Sequence, residues 1–327
     1  MSYTETVVNI PVRSHTLGGI LTTPSSSEPT DAGAVKELAL IIHGFGGHKD
    51  YIYQRQLARE LSIASLRFDF SSCGDSSITN STEFTEDPSA NQGQGATYYF
   101  RGRESDLDDF AAILAWLAKP QPDGTRYTLT TLIGHSRGSL LMMHWAAQLL
   151  RTHPPVVSAN EGLSAQNDPP LVNLKYIVNC ASRFQTHLII PNFERNFPGF
   201  LTNRGGNARN VRQANGVYGN IWVPVTEIED LAFNVPILND IETIKLTPGL
   251  KLLSIYGLED RIVPLDDAYS YEKFFATPDA TNNTALHRLV IIPEADHNYY
   301  GPPKIAGEKR SNYNPIVIKT ILEFLQF

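Results

Sequence analysis

The stretch Thr128–Gly138 constrains this chain more than any other. A Thr- and Leu-rich run suited to a strand ends in Gly134-His135-Ser136-Arg137-Gly138, and an apolar helical segment, Ser136–Arg151, follows at once. Glycines two residues before and two after Ser136 let a strand and a helix approach closely around a strained turn. That turn lifts the Ser136 hydroxyl out at the carboxyl end of a sheet, beside a helix N-terminus. The five-residue pattern alone is weak, because Gly and Ser are common. The strand before it and the apolar helix after it supply the confirming context.

The rest of the chain repeats that alternation. Thr6–Val12 and Leu17–Thr22 read as strands, and Leu38–Ile42 is a continuous apolar run of the kind buried on both faces of a sheet. Tyr51–Ile63 carries helical spacing, Ser65–Phe70 reads as a strand, and Ser105–Leu117 as a helix whose Asp106, Asp108 and Asp109 suit an N-terminal dipole. Leu174–Cys180, Leu250–Tyr256, Leu265–Phe275, Leu289–Ile292 and Pro315–Phe324 continue the pattern. Strands alternating with helices predict an α/β fold, a mostly parallel sheet with helices on both faces.

Two segments break the rhythm. Ser71–Arg103 is a long polar loop, and long loops in compact domains are often functional. Between Cys180 and Leu250 lies a stretch too long for a simple crossover, carrying Phe184, Phe193, Phe197, Phe200, Tyr218 and Trp222. It reads as an inserted cap, with a small helical extension packed on the core as the alternative. The expected organisation is a core of residues 1–184 and 246–327 with a cap at 185–245.

A serine hydroxyl is a poor nucleophile until a base removes its proton, and the base needs an orienting acid. In a strand–turn–helix architecture of this kind the order is serine, acid, histidine, each on a loop after a strand. His287 begins an apolar strand and reads as structural; His297 follows that strand, where a base must sit. For the acid, the loop after Leu252–Gly257 offers Glu259 and Asp260, of which Asp260 is chosen and Glu259 reads as an exposed charge. Asp266 and Asp267 read as a helix start, and Asp296 as loop polarity. A tetrahedral intermediate also needs two backbone N–H donors for its oxyanion. Arg137, after the serine, supplies one, and Phe45 in the glycine-rich loop His43–Lys49 supplies the other. His43 and His48 read as loop scaffolding, because a metal site needs further ligands at suitable spacing and none are present.

Composition narrows the class. The chain has 27 basic and 34 acidic residues, a net charge of −7, which argues against a nucleic-acid partner. Hydrophobic residues make up 42%, an ordinary globular value that excludes wholesale disorder. The longest apolar run, Leu140–Leu150, is interrupted by His144 and Gln148, so no membrane span is expected. Met1–Thr6 has neither a basic nor an apolar leader region, and Cys73 and Cys180 suit a reducing compartment. The expected location is cytoplasmic, where the acceptor patterns at Asn80 and Asn282 stand idle. Nothing in the sequence sets an oligomeric state.

Four blocks in order, His43–Lys49, Arg67–Ser76, Gly134–Gly138 and Gly257–Pro264 with Glu294–His297, resemble the α/β-hydrolase superfamily. The likeness is nearest to its cinnamoyl-esterase, monoglyceride-lipase and serine-aminopeptidase-like branch, and runs from about Leu38 to the C-terminus. It implies an α/β-hydrolase fold with an inserted cap, a Ser136–Asp260–His297 triad, Phe45 and Arg137 as oxyanion donors, and no metal or organic cofactor. It departs from that pattern at Ser72, where the family has glycine, and in the long Ile78–Arg103 loop.

The expected activity is hydrolysis of a small-molecule ester with a small to medium acyl or aryl group. Acyl transfer, thioester hydrolysis or aminopeptidase action would use the same triad, and a non-catalytic ligand-binding protein is a further alternative. An aminopeptidase needs acids for the substrate amine, for which Glu227, Glu229 and Asp230 are candidates. Arg195, Arg204, Arg209 and Arg212 in the cap could instead attract an anionic group.

Overall fold

The structure, a computed structural model, describes residues 2–13, 15–25, 34–71, 73–76, 98–154, 170–212, 216, 218–276, 285–305 and 307–326, with only the backbone at 209 and 210. Ser72, Asn80, Asn282 and most of the Ile78–Arg103 loop lie outside the described residues.

The order of elements is β1 (Tyr3–Val12), β2 (His15–Pro24), β3 (Val35–Ile42), α1 (Gln54–Glu60), β4 (Ala64–Phe68), β5 (Tyr98–Tyr99), α2 (Arg103–Leu117), β6 (Arg126–His135) and α3 (Arg137–Thr152). There follow β7 (Val172–Cys180), α4 (Ile189–Asn196), β8 (Gly205–Arg212), β9 (Tyr218–Pro224), α5 (Val225–Phe233), α6 (Ile237–Lys245) and β10 (Lys251–Gly257). The last elements are α7 (Leu265–Ala276), β11 (Leu286–Ile292), β12 (Tyr300–Gly301), β13 (Ser311–Asn312) and α8 (Asn314–Leu325). Eight strands form one sheet in the order β1-β2-β4-β3-β6-β7-β10-β11. The first two pair antiparallel, β2 is antiparallel to β4, and every later pair is parallel.

Apolar runs in the inner strands bury side chains on both faces, because successive residues point to opposite sides. Leu40, Leu132, Ile177 and Leu252 belong to one core, packed under α2, α3, α6 and α7. Their neighbours Ile41, Ile133, Val178 and Leu253 belong to the other, under α1 and α8. Helix α1 is shorter than its periodicity predicts. Ile52 has a positive φ of 45°, and Leu61 turns extended so that β4 can begin at Ala64. Among the described residues no helix is long and apolar enough to cross a membrane.

The chain between β7 and β10 makes a short 3-10 turn at Thr186–Leu188, then α4, the β8–β9 hairpin, α5 and α6. Strand β5, from the end of the long loop, pairs parallel to β9, giving a three-stranded sheet β5-β9-β8. The described end of that loop is therefore joined to the segment between β7 and β10. Helix α6 lies against α3, where the His144 ring bonds Asp240 at 2.7 Å and Arg151 donates to Thr243 at 2.8 Å. That part of the insertion packs as a core helix.

Asp106 lies in the first turn of α2, as the sequence reading expects, and Asp106, Asp108 and Asp109 each have a partner on another element. Asp108 pairs near the surface with Arg13 at 3.0 Å. Asp106 is buried on Arg137, and Asp109 accepts the Ser71 N–H at 2.8 Å and the Ser71 hydroxyl at 2.7 Å. Long-range partners account for the burial of both.

A second buried anchor joins two of the sequence blocks. Lys49, at the end of the glycine-rich loop, is 3% exposed, and its ammonium lies 2.6 Å from the fully buried Asp69 carboxylate. Asp69 also accepts the Lys49 N–H at 2.5 Å and the Asp75 N–H at 2.7 Å. Asp75 bonds Lys49 in turn and reaches Arg212 of β8 at 3.2 Å. Removing one partner of such a buried pair leaves an uncompensated charge. Asp69→Asn is expected to lower unfolding free energy by about 3–5 kcal/mol, read from urea denaturation; a loss below about 1 kcal/mol would show that the pair is screened by water.

Three histidines, His43 and His135 buried and His287 half-buried, make the fold acid-sensitive. Burial pushes His43 to about 4, His135 to about 3 and His287 to about 4. Each is neutral in the folded chain but binds a proton near pH 6.5 once unfolded, so its stabilising contribution is full above that pH and falls as pH drops toward the folded value. Burial acts oppositely on Asp109, raised to about 7, which holds a proton in the fold that the unfolded chain releases. Three histidines outweigh one aspartic acid. Unfolding free energy should drop by about 2 kcal/mol per pH unit between pH 6 and 5, and His287→Gln should flatten that slope. Denaturation midpoints that stay level or rise on acidification would contradict this.

Candidate active site

Ser136 stands between β6 and α3 with φ 54° and ψ −126°, outside the regions that side-chain-bearing residues favour. Its N–H donates to the Cys180 carbonyl at 2.7 Å, fastening the turn to β7. The flanking glycines are required by contact. A Cβ on Gly138 would lie 2.1 Å from the His43 carbonyl oxygen, and one on Gly134 2.7 Å from the Ser139 Cα. Either methyl group would push α3 away from the strands that aim the serine.

The Ser136 hydroxyl donates to His297 Nε2 at 2.8 Å. On the other side of the ring, Nδ1–H donates to Asp260 Oδ2 at 2.7 Å. The carboxylate is nearly sealed from solvent, 1% exposed, and its second oxygen accepts the Ile262 and Val263 N–H groups, both at 2.8 Å. An acceptor-only carboxylate fixes the imidazole tautomer, leaving Nε2 free to take a proton. The structure thus brings together Ser136, Asp260 and His297 from loops after β6, β10 and β11.

The surrounding acids sort as follows. Glu259 is exposed. Asp296 accepts the Asn298 and Tyr300 N–H groups, both at 2.9 Å, which makes it a turn former. Asp266 and Asp267 lie in the first turn of α7, as the sequence reading expects, but Asp267 also has partners on another element. It is buried, lies 3.0 Å from Arg183 Nη1, and accepts the Phe184 and Gln185 N–H groups at 2.7 and 2.6 Å. Arg183 also donates to the Ile262 carbonyl, so this pair ties the root of the insertion to the turn that holds Asp260.

Sequence reasoning did not single out Arg183 or His135, because their partners are distant in the chain. The His135 ring, neutral through burial, donates from Nε2 to the His297 carbonyl at 2.9 Å and steadies the loop bearing that histidine. His43 donates from Nδ1 to the Gly44 carbonyl at 2.8 Å and accepts the Phe70 N–H at 3.0 Å. Both ring nitrogens are occupied, as scaffolding requires. His287, in β11, bonds Ser254 of the neighbouring β10 at 3.0 Å. Among the described residues no group of three or more His, Cys, Asp or Glu could hold a metal.

Phe45 and Arg137 line the same cavity as Ser136 and His297. As the first residue of α3, Arg137 has an N–H without an intrahelical acceptor. Its buried guanidinium bonds Asp106 and lies 4.5 Å over the Phe100 ring. Burial lowers it to about 10, so it stays charged at neutral pH. The Phe45 ring meets Phe100 at 5.2 Å and Phe193 of α4 at 5.5 Å, a bridge between the glycine-rich loop and the insertion.

The cavity is about 290 Å³, at the lower end for small-molecule sites. Leu140, Ile189, Phe193, Phe197, Ile228 and Leu231 make it largely apolar. No Asp or Glu among the described residues lines it. Asp230 is committed to Arg103 at 2.8 Å, and Glu227 and Glu229 are likewise not in the wall, so the amine-binding candidates face elsewhere. Of the arginines between β7 and β10, Arg195 and Arg204 are exposed and Arg212 pairs with Asp75, and none of these three lines it; the Arg209 side chain lies outside the described residues. The arginines that do line it are Arg137 and Arg183.

Comparisons with known proteins agree with this architecture. A Saccharomyces cerevisiae protein, YDL057W, itself uncharacterised, is 30% identical over 306 residues, covering 89% of this chain and 79% of the yeast protein. Est1E from Butyrivibrio proteoclasticus aligns over 98% of this chain and 97% of its own with a TM-score of 0.59 at 16% identity. Its ferulic acid-bound structure gives 0.59 at 17% identity, over 98% of both chains. The Pyrococcus furiosus esterase PF2001 covers 99% of this chain and 91% of its own at a TM-score of 0.53 and 14% identity. At these identities the likeness to solved structures speaks for the fold. The profile described as Alpha/beta hydrolase family matches residues 39–303. On that match, which spans more than half of its length, this chain belongs to the alpha/beta hydrolase family.

Proposed function

We propose that this protein is a serine-dependent carboxylic-ester hydrolase. The observation that carries the reading is the unbroken chain of hydrogen bonds from Ser136 through His297 to Asp260, opening on an apolar cavity. Ser136 Oγ attacks the ester carbonyl while His297 Nε2 takes its proton, and Asp260 holds the ring and stabilises the imidazolium. The Phe45 and Arg137 N–H groups receive the oxyanion. His297 returns the proton to the departing alcohol. Water, deprotonated by the same nitrogen, then attacks the acyl-enzyme; Ser136 recovers its proton as the acid leaves.

The family and the esterase neighbours support hydrolysis as the reaction class. The insertion, taken as a cap over residues 185–245, supplies most of the apolar wall, which suits a small to medium acyl or aryl group. Both described cysteines are free and buried, which favours a reducing compartment such as the cytoplasm.

The test is turnover of p-nitrophenyl esters from acetate to dodecanoate. Short and medium chains should be hydrolysed best, and Ser136→Ala should lower kcat by about 10⁴-fold or more. Equal rates for wild type and Ser136→Ala would overturn the proposal.

A further inference from the structure

Within the apolar wall one polar side chain stands out. Asn192, on α4, lines the cavity and is 8% exposed. Its backbone carbonyl accepts Asn196 Nδ2 at 2.9 Å, and its own amide oxygen accepts the same donor at 3.3 Å. That bond orients the carboxamide with its oxygen turned to Asn196. The Nδ2 group has no acceptor among the described residues. Nδ2 is not one of the fully buried unpartnered atoms, so it opens on the cavity, where water can satisfy it until a ligand displaces that water. The neighbouring wall residues Ile189, Phe193, Ile228 and Leu231 carry no side-chain acceptor.

We infer that Asn192 is a specificity-determining residue whose Nδ2 donates a hydrogen bond to an oxygen on the substrate's acyl group. The substrate class is then an ester whose medium-sized, mostly hydrocarbon acyl part bears a ketone, ether or hydroxyl oxygen away from the scissile carbonyl. The inference rests on the esterase reading and deepens it. The small cavity excludes long chains, its apolar walls take the hydrocarbon, and Asn192 rejects acyl groups that cannot meet its donor. Discrimination of this kind is strong because a plain hydrocarbon leaves the buried donor unpaired. Arg183 lines the same cavity, but Asp267 and the Ile262 carbonyl hold its guanidinium; Tyr51 and Asn298 also line it and are half-buried, and Asn196 is exposed, so Asn192 is the buried donor assigned to the substrate.

The experiment separates binding from turnover. The Ser136→Ala protein is titrated calorimetrically with a medium-chain p-nitrophenyl alkanoate and with its analogue bearing a ketone on the chain. The ketone ester should bind about tenfold more tightly, and the preference should vanish when Asn192→Leu or the isosteric Asn192→Asp is added. In the Ser136-containing enzyme the ratio of kcat/KM for the two esters should fall to about one with either substitution. Equal affinity of the two esters for Ser136→Ala, or a preference that survives both Asn192 substitutions, overturns the inference. If the variants fold poorly, the comparison of two ligands on Ser136→Ala alone decides it. Ser136-dependent turnover without oxygen preference would remove the inference and leave the esterase reading standing. Selective binding without turnover would do the reverse.

Discussion

The geometry of this protein depends on one strained residue. Ser136 is held at a positive φ because β6 delivers it, α3 departs from it, and both are pressed together where Gly134 and Gly138 leave no room for a side chain. Such a backbone conformation costs of the order of 1–3 kcal/mol and persists only when the surroundings over-determine it. Those surroundings are here the bond from Ser136 N–H to Cys180, the two-sided core beneath the sheet, and the His43 carbonyl against Gly138. Strain held by packing aims the hydroxyl at His297, the preorganisation that the proposed nucleophilic role would require.

Around that turn, charges are placed by burial rather than exposed for binding. Asp260 receives two backbone N–H groups and one imidazole, and the turn that supplies them is itself held by Arg183 on Asp267. Arg137 is neutralised by Asp106 and sandwiched near Phe100, whose N–H donates to the Trp222 carbonyl of β9 at 2.7 Å. Lys49 and Asp69 fix the far end of the glycine-rich loop. The same buried pairs that order the loops bearing Ser136, Asp260 and His297 also fasten the segment between β7 and β10 to the core, so the wall of the cavity and the proposed triad share their supports.

The sheet, its mostly parallel strands and the serine turn were legible in the sequence because each is a local pattern: apolar runs for two-sided strands, glycine spacing for the turn, a loop after each strand for the acid and the base. Asp260 and His297 could be chosen by chain order. The network holding them could not. Arg183 meets Asp267, and His135 meets the His297 carbonyl, across large sequence separations with no periodic or composition signal. Asp106, Asp109 and Asp267 looked like dipole-facing helix starts for the same reason, since their partners Arg137, Ser71 and Arg183 lie on other elements. Arg195, Arg204 and Arg212, conspicuous in the sequence, do not line the cavity, while Asn192, unremarkable in the sequence, does.

The most direct test is covalent. A fluorophosphonate, in which an activated serine oxygen displaces fluoride from phosphorus, should label the purified protein once per chain. Mass spectrometry should place the adduct on Ser136, and His297→Gln should slow labelling by orders of magnitude because the base is lost. Adducts on other residues, or labelling at the rate of an ordinary surface serine, would contradict the assignment of Ser136 and His297 as nucleophile and base.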